Sequence, residues 1–286
     1  NKGTEDNRVR KLDYSIQLSE LFYKRFLNNE EITLFSPHDV PGLYEAFGTD
    51  TFDEMYQKYE NAYSVPKKKV SARELITDLL KERAETGRIY IMNIDHSNTH
   101  SSFLDKVNMS NLCQEITLPT DPIQHIDGDG EIALCILSAI NVGVVKDEEL
   151  EEICDLAVRG LEELIDYQEY PVKAAEVSTL ARRSLGIGYI GLAHYLAKNR
   201  VKYSDQNAWN LVHELTEKFQ YYLLKSSNEL AVEKGACDYF DRTKYAQGIL
   251  PIDTYKKDVD EIVKPEYKMD WEKLRVCIKV HGLRHS

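Results

Sequence analysis

Residues 132–140 read Ile-Ala-Leu-Cys-Ile-Leu-Ser-Ala-Ile, and no other run constrains the fold as much. Only Ser138 breaks its apolar character, so a strand here has no polar face to turn to water. A strand that must be covered on both sides belongs to a parallel sheet flanked by helices. The run extends to Val145, but it contains Ser138 and Asn141 and falls short of the roughly 20 residues a membrane helix needs.

The sequence also supplies the helices. Over 147–167, Leu150, Ile153, Cys154, Ala157, Val158, Leu161, Leu164 and Ile165 fall on one stripe at helical spacing. Asp147 suits its cap, and Glu148 and Glu149 suit the positive end of its dipole. A second long helix is expected over 205–234, capped by Ser204 and stopped by Gly235. Shorter helices are expected over 14–27, 71–86 and 269–281. Strands are expected over 32–35, 88–94 and 112–118, besides the one at 132–140. Asp127-Gly128-Asp129-Gly130 reads as a turn between the last two. Helices and strands alternate, which gives an α/β class with helix in excess.

The 286 residues carry 36 Lys+Arg against 48 Asp+Glu, a net charge of −12. That balance argues against a phosphate-binding basic face and hence against nucleic acid. No repeat, low-complexity tract or Pro/Gly/Ser linker cuts the chain, so a single domain over 1–286 without an internal boundary is expected. Five cysteines are too few for a disulfide scaffold, and no secretory signal is visible. A reducing, cytoplasmic setting is expected. The chain begins with Asn1 rather than Met, as a processed chain or a piece of a longer one would.

Three patterns compete as sites. Gly186-Ile187-Gly188-Tyr189-Ile190-Gly191 fits a dinucleotide fingerprint, with Asp205 near the distance of a ribose acid. No apolar strand precedes its first glycine, so a glycine-rich turn into a helix near 192–197 is the better reading. His96 and His100 stand four apart, a metal-face spacing on a helix, but their polar neighbours read as a loop with no third ligand. The acids of 127–131 lack the spacing of a calcium loop. In an extended strand, Asn111, Cys113 and Glu115 would project from one face as an amide, a thiol and a carboxylate. The alternative is a half-buried strand with a polar outer face. A carboxylate neighbour disfavours a thiolate, so simple thiolate attack is not the chemistry such a row suggests.

Asn111-Leu112-Cys113-Gln114-Glu115 resembles the active-site signature of the large subunit of ribonucleotide reductase. The likeness continues through FSPHDVPGLY at 35–44, TGRIY at 86–90, HSNTH at 96–100, RRSLGIG at 182–188, YYLLK at 221–225 and GILPIDTYKK at 248–257. It is collinear over nearly the whole chain and is most similar to the aerobic class Ia type of enteric bacteria and their phages.

The resemblance implies part of a ten-stranded α/β barrel, helix-rich and incomplete at both ends, around a loop that carries the catalytic cysteine. Cys113 matches that cysteine, as a thiyl radical that abstracts the 3′ hydrogen of a ribonucleotide. Glu115 matches the base for the 3′-hydroxyl proton, and Asn111 the amide that binds the ribose hydroxyls. Residues Asn111, Leu112, Cys113, Gln114 and Glu115 together would line the ribose pocket. Cys135 matches one of two reducing thiols, its disulfide partner lying outside this chain. Cys154, Cys237 and Cys277 match no functional position and are expected to pack.

The family subunit is more than twice this long. The resemblance therefore implies a fragment, silent by itself, whose ATP-cone domain, specificity site and C-terminal part lie elsewhere. It implies no cofactor or metal in this chain, a radical supplied by a metal-containing small subunit, thioredoxin or glutaredoxin as reductant, and ATP or dNTP effectors bound outside the segment. The implied partners are a ribonucleoside diphosphate, the small subunit and a second large subunit, with no nucleic acid and no membrane. Two alternatives stand beside this reading. One is a non-catalytic segment complementing a separate polypeptide. The other is a cobalamin-dependent class II reductase.

Overall fold

A computed structural model describes residues 12–125, 128, 130–261 and 266–286. The chain divides into two compact units, Asn1–Ser101 with Lys106–Leu118, and Ser102–Asp105 with Pro119–Ser286. Asp127 and Asp129 of the expected acidic turn lie outside the described residues.

The first unit runs β1 (Tyr14–Leu18), α1 (Glu20–Leu27), β2 (Glu31–Phe35), α2 (Leu43–Ala46), α3 (Phe52–Asn61), β3 (Lys67–Ser71), α4 (Ala72–Thr86), β4 (Ile89–Asn93) and α5 (Ile94–Thr99). β1 pairs in parallel with β4, from Tyr14 opposite Ile89 to Leu18 opposite Asn93. β2 and β3 form an antiparallel pair. The helix expected over 14–27 is therefore a strand followed by a helix. Ser19 divides them, its side chain accepting from the Phe22 amide as the cap of α1. Pairing with β4 satisfies the backbone of residues 14–18, which outweighs any local helical preference. Leu18, Leu21, Phe22, Ile32, Val40, Phe52 and Tyr56 make the core. A charged knot beside it joins α1, β2 and α3. Arg25 grips Glu60 with both Nη atoms at 2.6 and 2.5 Å, and Thr33 Oγ1 donates to Glu60 at 2.5 Å. The Arg25 hydrogen bonds hold the Glu60 carboxyl down at about 2.

The second unit runs β5 (Ile136–Asn141), α6 (Leu150–Tyr167), α7 (Lys173–Arg182), β6 (Leu185–Ile190), α8 (Leu192–Lys198), α9 (Gln206–Lys234), α10 (Pro251–Thr254) and α11 (Trp271–His281). β5 and β6 pair in parallel, with Leu137 opposite Gly186 and Ala139 opposite Gly188. α6 and α9 follow the sequence expectation closely except at their starts, where Glu149 rather than Asp147 stands at the N-cap of α6 and Asp205 rather than Ser204 at that of α9. Their apolar faces enclose Ile140, Val142, Leu150, Cys154, Leu215 and Phe219. A second cluster, with Leu250, Trp271, Leu274, Ile278 and Leu283, seats α11. Buried Glu217 fixes its approach, accepting from the Lys268 and Met269 amides and the Trp271 indole within 2.9–3.1 Å.

Three sequence expectations change here. The strand expected over 132–140 begins only at Ile136, and Leu137 is 61% exposed. The backbone before it is held elsewhere: Glu131 bridges Asp121, and the Ile132 amide donates to the Ala174 carbonyl. The glycine-rich stretch expected as a turn is itself β6, and Gly191 caps the helix that follows. His96 and His100 are helical, not looped: α5 carries His96, His100 caps it, and the rings meet edge to face at 5.8 Å.

Buried charges knit the second unit. Glu162 on α6, fully buried, accepts from Arg183 Nε at 2.8 Å, Arg284 Nε at 2.7 Å and His285 Nε2 at 3.0 Å. Burial alone would raise its pKa, but these partners hold it well below the carboxylate range. Arg183 takes a left-handed φ of 51° to make this contact and also reaches Asp166. A neighbouring knot sets buried Arg182 against Glu131 at 2.7 Å and Asp105 at 3.0 Å.

Candidate functional site

The segment carrying Asn111, Cys113 and Glu115 is a turn, not the strand expected over 112–118. Its backbone reverses where the Gln114 amide donates to the Asn111 carbonyl at 3.2 Å. Gln114 adopts a left-handed φ of 67°, which no strand residue does. The Asn111 side chain closes the reversal: its Oδ1 accepts from the Ile116 amide at 3.0 Å and from Ser110 Oγ at 3.2 Å. Ser110 Oγ also donates to the Ile116 carbonyl at 2.7 Å. Such side-chain-to-backbone bonds compete with a ladder, and here they win. Asn111, Cys113 and Glu115 therefore lie around one tight turn rather than along one face of a strand.

Two elements hold this turn within the first unit. From β1, Ser15 Oγ accepts from Gln114 Nε2 at 2.8 Å, and Gln17 Nε2 donates to the Asn108 carbonyl at 2.6 Å. Ser15 and Gln17 are next-but-one neighbours and share a face of the strand. From α5, Asn98 grips Val107 on both sides, accepting from its amide at 2.8 Å and donating to its carbonyl at 3.1 Å. Val107 is itself fully buried beside Met92 and Ile94. The anchor is thus firm up to Val107, and the chemistry-bearing tip beyond it is exposed at Asn111, Leu112, Cys113 and Glu115. Ser15 and Gln17 carry no local signal in the sequence, since each acts on a residue more than 90 positions away, whereas Asn98 lies in the HSNTH stretch of the family likeness without a role assigned there.

Cys135 lies in the second unit, half-buried, one residue before β5. Cys154 and Cys237 are buried, as expected of packing residues. Burial pushes their thiols up to about 12 and about 11, so neither is a ready nucleophile. Among the described residues, no group of three or more His, Cys, Asp and Glu side chains could hold a metal ion. No described helix is long and apolar enough to cross a membrane.

Comparison with known proteins bears on this geometry. A family profile described as "Ribonucleotide reductase, barrel domain" matches residues 1–286. A ribonucleoside-diphosphate reductase subunit alpha from Haemophilus influenzae is 58% identical over 293 residues, covering 100% of this chain and 39% of that protein. The corresponding Escherichia coli subunit, ribonucleoside-diphosphate reductase 1 subunit alpha, is 55% identical, and the phage T4 subunit alpha 42%. Each aligns with 100% of the chain and 38% of its own length. The chain spans well under half the length of these relatives.

Proposed function

Because the chain belongs to the ribonucleotide reductase barrel family, we propose that it is the catalytic-core segment of a class I ribonucleoside-diphosphate reductase alpha subunit. The observation that carries this reading is the match over residues 1–286, with Asn111, Cys113 and Glu115 together on an anchored, exposed turn.

The substrate is a ribonucleoside diphosphate. The Cys113 sulfur, as a thiyl radical, takes the hydrogen atom from C3′. Glu115 accepts the 3′-hydroxyl proton as general base. The Asn111 oxygen closes the turn, so its NH2 group is the part that donates to a ribose hydroxyl. The 2′-hydroxyl then leaves as water. Cys135 and a second thiol outside this chain supply two electrons and two protons and close to a disulfide. Cys113 finally returns its hydrogen to C3′. The balance is one ribonucleotide and two thiols giving one deoxyribonucleotide, one disulfide and one water.

A separate metal-containing small subunit supplies the radical, and a thioredoxin or glutaredoxin reopens the disulfide. ATP and dNTP effectors bind outside this segment, and the complete alpha subunit works as a homodimer. The test is a hybrid in which residues 1–286 replace the matching segment of the Haemophilus influenzae subunit, assayed with the small subunit and a dithiol reductant. Deoxyribonucleotide formation is expected, with complete loss in Cys113→Ser, since an alcohol O–H bond is too strong to carry the radical. Turnover in that variant overturns the assignment.

A further inference from the structure

A side chain added at Gly186 would put its Cβ 2.5 Å from Cys135 Sγ and 2.6 Å from Leu137 Cδ2. Ordinary carbon contacts fall at about 3.5–4.0 Å, and sulfur is larger than carbon. The thiol therefore rests where a Cβ would otherwise stand. Glycine is not required here by its backbone, because Gly186 is not among the residues with positive φ. A glycine inside a strand marks either a bulge or a close approach. Here β6 pairs in unbroken register with β5, which leaves the close approach.

We propose that Gly186 is a positioning residue for the Cys135 thiol, its missing side chain forming the seat on which Sγ lies. The inference rests on the proposed role of Cys135 as a reducing thiol and adds to it what holds that thiol ready. Leu137 stands opposite Gly186 in the ladder, and Cys135 precedes it by two residues, so the two side chains flank the same glycine. Disulfide closure demands an S–S separation of about 2.05 Å and a Cβ–S–S–Cβ dihedral near 90°. A thiol pushed out of its seat into another rotamer points its sulfur in a different direction, so the approach needed for closure changes although the fold survives. The atoms crowded by an added methyl are both side-chain ends, which can swing away.

Gly188 provides the internal control. It lies two residues along the same strand, opposite Ala139, and an added Cβ there meets nothing within 4 Å among the described residues.

The experiment uses the hybrid subunit with its small subunit, in Gly186→Ala, Gly188→Ala, Cys135→Ser and the double variant Gly186→Ala/Leu137→Ala. Two readouts are taken: turnover with a thioredoxin-type reductant, and the rate at which a maleimide labels Cys135, located by mass spectrometry. In Gly186→Ala, kcat is expected to fall about tenfold to a hundredfold with KM little changed. Its Cys135 labelling rate is expected to change severalfold, and its melting temperature to stay close to that of the parent. Gly188→Ala should match the parent in both readouts. Relieving Leu137 should not restore Gly186→Ala, because the clash with Sγ remains. Parent-like labelling and turnover in Gly186→Ala overturn the inference, as does rescue by Leu137→Ala. Sustained turnover in Cys135→Ser overturns the reducing-thiol role instead, and the labelling comparison still decides whether Gly186 seats the sulfur.

Discussion

Gln114 and Ser15 are joined by a 2.8 Å hydrogen bond across 99 residues of sequence. The bond ties the tip of the Cys113 turn to the start of β1, whose own position is fixed by pairing with β4. Ser15→Ala removes the acceptor and leaves Gln114 Nε2 without it. A neutral hydrogen bond of this kind is worth about 0.5–1.5 kcal/mol, so stability should fall by no more than that. Catalysis is more sensitive to a shift of the turn, and kcat in the hybrid subunit should drop by about tenfold or more. Ser15→Thr keeps the hydroxyl and should retain most of the activity. Equal activity in Ser15→Ala and the parent would show that the tether does not set the geometry of the turn.

Glu115→Gln tests the proposed base. The substitution keeps a hydrogen-bonding group of the same size but cannot take a proton. On an exposed tip it should leave the melting temperature unchanged. The expected result is a kcat lower by about 10²–10⁴-fold with KM preserved, measured by steady-state reduction of a ribonucleoside diphosphate. A rise in KM at constant kcat would place Glu115 in binding rather than proton transfer.

Glu162 and Glu163 are adjacent carboxylates with opposite prospects. Glu162 is fully buried among Arg183, Arg284 and His285, whereas Glu163 is 72% exposed and pairs with Lys234 on the surface. Glu162→Gln leaves buried cations uncompensated and should cost about 3–5 kcal/mol in the second unit. Glu163→Gln should cost no more than about 1 kcal/mol. Denaturant melts of the two variants, side by side, check the contrast.

The same knot sets a pH dependence. Burial, the larger effect, lowers the His285 pKa below 6.5, while Glu162 opposes the shift. The unfolded chain therefore binds a proton that the folded unit resists, and stability falls as pH drops through and below 6.5. The Glu162 carboxyl is also lowered, so its contribution is present above 4.5 and is lost at still lower pH. Melting temperature against pH should show both declines. His285→Gln should flatten the upper one and spare the lower, and an unchanged upper decline would remove His285 from the account.

A further expectation concerns the chain by itself. Among the described residues every sheet is two-stranded, and β5 and β6 carry Leu137 and Ile190 at 61% and 55% exposure. Two-stranded sheets are marginal, and unpaired strand edges recruit further chains. Residues 1–286 expressed alone should self-associate with rising concentration and should form no deoxyribonucleotide. Leu137→Lys should reduce the association seen by light scattering. A stable, active monomer would contradict this.

Legibility in the sequence followed the reach of each interaction. α6 and α9 were legible because a continuous apolar stripe decides a long helix locally. β1 was not, because residues 14–18 become a strand only through pairing with residues 89–93. The turn at 111–116 reads as a strand in the sequence for a different reason. Its alternating residue types suit a strand, but the Asn111 side chain bonds the Ile116 amide and folds the segment back. Composition and spacing placed no role on Asn111, Cys113 or Glu115; family resemblance supplied those roles. One signal did lie in plain view. Glu162 interrupts the apolar stripe of α6 between Leu161 and Ile165, where a charge needs buried partners. Who those partners are, residues 183, 284 and 285, was beyond local pattern.

The Glu162 knot also orders events during synthesis. His285 is 123 residues beyond Glu162. At roughly 5–20 residues per second, a ribosome needs about 6 to 25 s to cover that distance. Throughout the interval α6 can form and pack its apolar face, but its buried carboxylate has no Arg284 or His285 to meet. The growing chain has strong reason to keep that part of α6 open to water until residues 284 and 285 emerge. Closure of the Glu162 knot is thereby tied to the arrival of residues 284 and 285, long after α6 itself has been made.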